Sequence, residues 1–133
     1  MKLFISTISC LLFYCCLDTG NNIEFVNQSE LIKKYRADGF LEYSSRLNDS
    51  LLLILSDHKK TLLTKNTYDA ILEVSENLKF SKPVLKCYQL QWKENPYDPS
   101  AKILLEWNPS SGVIFRIFTT SETLISKFPE QSL

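Results

Sequence analysis

The sequence has little of what catalytic and ligand-binding motifs are usually made of. Histidine occurs once, at His58, and the only glycines are Gly20, Gly39 and Gly112. A single histidine provides too few nitrogen ligands for a typical transition-metal site, and isolated glycines do not form the glycine-rich loops that hold phosphates. We therefore predict no metal site, no cofactor and no catalytic residues.

An excess of charge of one sign is also lacking. The chain contains 15 Lys and Arg residues and 15 Asp and Glu residues. Lysines such as Lys59 and Lys60 stand beside acids such as Asp57, so they do not form the continuous basic stripe that is typical of nucleic-acid-binding proteins. This balance predicts that nucleic acid is not a partner.

The N-terminus is the most distinctive segment of the sequence. Lys2 precedes an uncharged, mostly apolar run that continues to Leu17 and ends at the polar residues Asp18-Thr19-Gly20. One cation followed by a short apolar run is typical of a signal peptide, and the run is shorter than the roughly 20 residues of a membrane-spanning helix. We predict a leader over residues 1–17, a single small α+β domain over residues 18–133, and export. The predicted location is the periplasm or cell envelope if the protein is bacterial; otherwise we predict that it is secreted.

Cysteines at the end of the leader raise a second interpretation. The layout resembles a bacterial lipoprotein signal, which makes Cys16 a candidate lipidation site and a membrane surface a candidate location. The preceding Phe13-Tyr14-Cys15 departs from the small residue that such signals carry there, so simple removal of the leader is the alternative. In both cases Cys87 is the only free thiol left in the domain, and we predict that it is buried in a strand without a disulfide.

Residues 29–64 combine one clear helix with two ambiguous segments. Apolar spacing after possible capping residues predicts a helix from Ser29 to Ala37, whereas residues 40–48 fit either a helix or an extended segment. The apolar run Leu51–Leu55 slightly favours a strand in a hairpin with Thr61–Thr64. A single helix from Ser50 to Thr64 is the alternative, because leucine favours helices.

The rest of the chain predicts a long helix followed by an antiparallel meander. The helix begins near Asn66 and ends before Pro83. Three strands with period-two alternation then cover residues 84–92, 101–107 and 113–117, and Ser121-Glu122 begins a short C-terminal helix. The fold class is therefore α+β, with helices packed on one face of an antiparallel sheet.

Two constellations suggest catalysis, but each has a stronger structural interpretation. Glu73 and Glu76 lie three residues apart, as a carboxylate-dependent hydrolase would need, yet both fall on the polar face of the long helix. Cys87 and His58 could form a nucleophilic pair, but no local motif presents either residue.

The best candidate surface is the loop 93–100, because its prolines Pro96 and Pro99 stiffen it and Trp92 and Tyr97 could act as binding anchors. The alternative is that Trp92 belongs to the core and that Tyr97 covers the sheet edge. We predict a non-enzymatic, exported module that binds a protein partner. An inhibitor or immunity-type protein and a small exported hydrolase are the alternatives.

Overall fold

A computed structural model describes residues 23–57 and 62–129. The predicted leader, Cys16 and His58 lie outside the described residues. Within these residues the strands are β1 (Ile23–Phe25), β2 (Leu41–Arg46), β3 (Cys87–Gln91), β4 (Lys102–Asn108) and β5 (Gly112–Thr119). The four helices of the described ranges are α1 (Gln28–Ala37), α2 (Asp49–Asp57), α3 (Lys65–Lys79) and α4 (Glu122–Ile125).

The strands form one antiparallel sheet in the order β1-β3-β4-β5-β2. The predicted pairing of the last two strands is confirmed, and its turn is tight because Asn108 pairs directly with Gly112. Gly112 has φ +78°, a conformation that residues with a Cβ rarely adopt. Asn108 Oδ1 accepts a hydrogen bond from the Ser110 backbone N–H and so closes the turn.

The larger core lies on one face of the sheet, beneath α2, α3 and α4. Strand residues of period two, such as Ile103 and Leu105 in β4 and Phe115 in β5, point toward this face and are fully buried. The α3 helix contributes Ile71 and Leu78 to the same core. The predicted α+β fold, with helices packed on an antiparallel sheet, is confirmed.

The α1 helix lies on the opposite face and forms a second, smaller core. Its Tyr35 packs against Phe118, Cys87 and Leu104. Cys87 is buried within β3 and makes no disulfide, as predicted. The sheet therefore has helices on both faces, because residues such as Leu104 and Phe118 give its second face an apolar strip.

The prediction that Leu51–Leu55 forms a strand was wrong. The alternative was right to place these residues in a helix, but α2 ends at Asp57, and residues 62–64 are neither helix nor strand. Asn48 caps α2, since its side chain accepts a hydrogen bond from the Leu51 N–H at 2.9 Å. Leu51 and Leu55 are four residues apart and both enter the core, so the burial follows helical rather than strand periodicity. The ambiguous residues 40–48 contain β2.

Two boundaries also differ from their predictions. Thr64, rather than Asn66, caps α3 by accepting a hydrogen bond from the Thr67 N–H. The strand predicted from residue 84 begins only at Cys87, which leaves Val84 and Leu85 exposed in the connection from α3. Within residues 23–57 and 62–129, no helix is long and apolar enough to cross a membrane.

Candidate functional site

The outer edge of β1 is a short strand edge with unpaired peptide groups. The Val26 N–H donates to the Cys87 carbonyl at 3.0 Å, and the register pairs Glu24 with Gln89. Hydrogen bonding alternates along an antiparallel pair, so the peptide groups of Ile23 and Phe25 point away from β3. Among the described residues these groups have no other backbone partner. We call this row of outward groups the β1 edge.

An open cleft of about 250 Å³ lies where β1 leads into α1. Phe25 and Leu85 line its apolar sides, and Cys87 lies among its lining residues. The remaining lining residues belong to the start of α1 and the residues just before it: Val26, Asn27, Gln28 and Ser29. The cleft therefore offers apolar contacts beside backbone polar groups, a combination that is typical of binding pockets.

Exposed apolar side chains line this cleft or stand next to its lining residues in the chain. Phe25 is 66% exposed, Val84 61% and Leu85 50%. Phe25 contacts the ring of Tyr88 edge-on, with centroids 5.9 Å apart. Single exposed apolar residues are common, but a group of them beside an open strand edge and a cleft is typical of an interaction surface.

The thiol of Cys87 is a structural group. Burial, together with the nearby Glu106 carboxylate, raises its pKa to about 12. Thiols act as nucleophiles in the thiolate form, so Cys87 is un-ionised and unreactive at neutral pH. This environment argues against the cysteine-histidine nucleophilic pair.

A partly buried ion cluster lies on the sheet face that carries α1. The guanidinium of Arg116 donates to Glu42 Oε1 at 2.9 Å, to Ser44 Oγ at 3.0 Å and to Glu106 Oε1 at 3.1 Å. Arg36 contacts the other oxygen of Glu42 at 2.9 Å. We call Glu42, Ser44, Glu106 and Arg116 the ion cluster.

The ion cluster holds two carboxylates that the sequence analysis did not bring together. Burial alone would raise the pKa of Glu42, but hydrogen bonds from Arg36, Ser44 and Arg116 outweigh it and lower the pKa below its ordinary value. A general acid needs a raised pKa, so Glu42 is unsuited to the general-acid role that one carboxyl group of a carboxylate-dependent hydrolase must fill. The cluster is therefore best described as an ion pair network between strands.

The two acids that were weighed as a catalytic pair, and assigned to the polar face of the long helix, are exposed on α3. Glu73 and Glu76 both lie on its solvent face, and Glu76 accepts a hydrogen bond from Lys79 at 2.9 Å. Neither carboxylate is desolvated, whereas a catalytic pair needs at least one carboxyl group in a desolvated environment. Within the described parts of the chain, no group of three His, Cys, Asp or Glu side chains could hold a metal ion.

The two residues proposed as binding anchors have different environments. Trp92 is 1% exposed and packs in the larger core, so its ring offers no surface to a partner. Tyr97 is 37% exposed, and Lys127 Nζ lies 5.9 Å from its ring centroid. A binding role for Tyr97 stays a prediction, and Trp92 would not share in it because its ring is buried.

The loop that carries Tyr97 is fixed by buried polar groups. Asn95 Oδ1 accepts hydrogen bonds from the N–H groups of Tyr97 and Asp98. Asp98 in turn accepts from the Ser100 and Thr120 backbone N–H groups. Burial opposes ionisation of Asp98, but these bonds and those from the Ser100 and Thr119 hydroxyls lower its pKa to about 2.

Comparisons with known proteins add no relative: no family model matches the chain, and neither the curated proteins nor the solved structures contain a match. The interpretation of the site therefore depends on its own geometry and chemistry.

Proposed function

We propose that this protein is an exported, non-enzymatic binding module that takes an extended segment of a protein partner onto the β1 edge. The observation that carries the proposal is the outward direction of the Ile23 and Phe25 peptide groups, which follows from the Val26–Cys87 hydrogen bond. Peptides that add a strand to an open sheet edge gain affinity from main-chain hydrogen bonds and specificity from side-chain pockets. The cleft beside Leu85 supplies such a pocket.

The chemistry of the candidate catalytic groups supports binding over catalysis. Cys87 is held as a neutral thiol, and Glu42 is held as a carboxylate by Arg36 and Arg116. Both environments suit structural roles. The inhibitor or immunity-type alternative would use the same edge, but it requires one specific protein partner with which a stable complex forms.

Replacing Phe25 with serine should weaken peptide binding by roughly tenfold or more, because a large exposed apolar contact beside the edge is lost. The probe is a short peptide selected from a random display library by the wild-type protein, and calorimetry measures its affinity. Leu53→Ser is the matched control, since Leu53 is 62% exposed on α2 and lies outside the cleft lining.

A second variant tests the backbone contribution. In Phe25→Pro the outward N–H is removed while the Val26 hydrogen bond to Cys87 remains possible, so binding should be lost without loss of the fold. Circular dichroism checks the fold. Equal affinities for the wild type, Phe25→Ser and Phe25→Pro would show that the peptide binds elsewhere and would contradict the proposal.

Export is tested by the intact mass of the protein recovered from its native host. A mass that corresponds to a chain beginning at Cys16 with acyl groups would place the module on a membrane surface, as a lipoprotein-type leader predicts. A trimmed, unmodified chain would indicate a soluble exported protein. The full-length mass would contradict export.

A further inference from the structure

The middle residue of β1 carries a charge that a bound segment must accommodate. Glu24 is exposed, and its register partner on β3 is the neutral Gln89. No ion pair joins Glu24 to another residue within the described ranges. Its two neighbours in the strand, Ile23 and Phe25, are exposed apolar residues. The edge therefore presents an apolar-acidic-apolar pattern.

The geometry of strand addition determines which residue of the partner meets Glu24. An antiparallel segment that bonds to the outward groups of Ile23 and Phe25 leaves Glu24 at a position without direct hydrogen bonds. At such positions the paired Cα atoms are only about 4.5 Å apart, closer than at bonded positions. The residue opposite Glu24 therefore has its side chain beside the carboxylate.

A second copy of this chain is a poor occupant of the β1 edge. Antiparallel pairing of two β1 strands through the outward groups of Ile23 and Phe25 would place Glu24 directly opposite Glu24 of the other copy. Like charges directly opposite one another destabilise a strand pair, whereas opposite charges stabilise it. The charge of β1 therefore disfavours self-association and favours a segment with a cation at this position.

We propose that the bound segment carries a lysine or arginine opposite Glu24, with apolar residues on either side of it opposite Ile23 and Phe25. This inference rests on the proposed function and adds the chemistry of the partner. The basic side chain pairs with the Glu24 carboxylate on the face that carries α1, and the flanking apolar side chains cover Phe25 and Ile23 on the other face.

The test is selection from a random peptide library by the wild type and by Glu24→Lys. The wild type should enrich peptides with a Lys or Arg between two apolar residues, and Glu24→Lys should enrich Asp or Glu at that position. A peptide selected by the wild type should bind Glu24→Lys about three- to tenfold more weakly, because an attraction is replaced by a repulsion of similar size. Glu73→Lys, a charge reversal on the solvent face of α3, should leave its affinity unchanged.

The outcomes separate this inference from the proposed function. If the selected peptides lose binding in Phe25→Pro but show no basic preference, the edge binds peptides and the inference about their charge is wrong. Equal loss of affinity in Glu24→Lys and Glu73→Lys would also overturn it, because the effect would then be a general one of net charge. If the wild type enriches no peptide at all, both proposals are wrong.

Discussion

Replacing Arg116 with methionine should lower the free energy of unfolding by about 3–5 kcal/mol. The side chain of Glu106 is only 4% exposed, and Arg116 supplies the hydrogen bond to its Oε1. Removal of the arginine leaves this carboxylate buried without a compensating charge. Removing one partner of a buried ion pair destabilises a protein more than replacing both partners does. Urea unfolding of the wild type and the variant measures the difference.

Two further variants show whether the loss of stability comes from leaving Glu106 buried and unpaired or simply from removing a positive charge. Arg36→Met removes an arginine that is 61% exposed and should cost at most about 1 kcal/mol, although it too contacts Glu42. In the double variant Glu106→Gln, Arg116→Met the buried charge is gone, so part of the lost stability should return. If the two arginine variants cost the same, the ion cluster has no special role in stability.

Replacing Asp98 with asparagine should destabilise the protein by about 2 kcal/mol at neutral pH. Asp98 is 6% exposed, and its Oδ2 accepts hydrogen bonds from the Thr119 hydroxyl and the Thr120 N–H. Both carboxylate oxygens of Asp98 accept hydrogen bonds, whereas an asparagine has only one acceptor oxygen. Its NH₂ group would therefore face hydrogen-bond donors and lose the bonds on that side. The stability of the loop that carries Tyr97 should fall with that of the domain.

The effect of Asp98→Asn should also depend on pH. The folded-state pKa of Asp98 is lowered to about 2 from an ordinary value of 3.8. A lowered pKa contributes stability that is fully present above the ordinary value and is lost as the pH falls toward the folded value. The difference between wild type and variant should therefore shrink below about pH 4. Asp69→Asn, on the exposed face of α3, is the control and should show little of either effect.

The parts of the fold that the sequence could predict are those encoded by local patterns. Alternation in β4 and β5, the turn at Asn108–Gly112 and the cap at Ser121 all act over a few residues. Leu51–Leu55 is apolar at every position, so it carries no periodicity that separates a strand from a helix. The helix is recognised only from the capping interaction of Asn48 and from the burial of Leu51 and Leu55, which are four residues apart.

The candidate site was harder to predict because it depends on register. Ile23-Glu24-Phe25 does alternate, but three residues are too few to identify a strand. The ion cluster joins residues that are 10 and 74 positions apart, and only the pairing of β2, β4 and β5 brings them together. For Trp92 the sequence suggested a site that the structure does not offer. An aromatic residue next to a loop resembles a binding anchor until its burial is known.

The most direct test of the central claim is amide hydrogen exchange, measured residue by residue by NMR with and without a library-selected peptide. In the free protein the amides of Ile23 and Phe25 should exchange fast, and that of Val26 should be protected by its bond to Cys87. Bound peptide should slow exchange at Ile23 and Phe25 and leave Val26 nearly unchanged. Protection at β2 or around Tyr97, with Ile23 and Phe25 still exchanging fast, would contradict binding at the β1 edge.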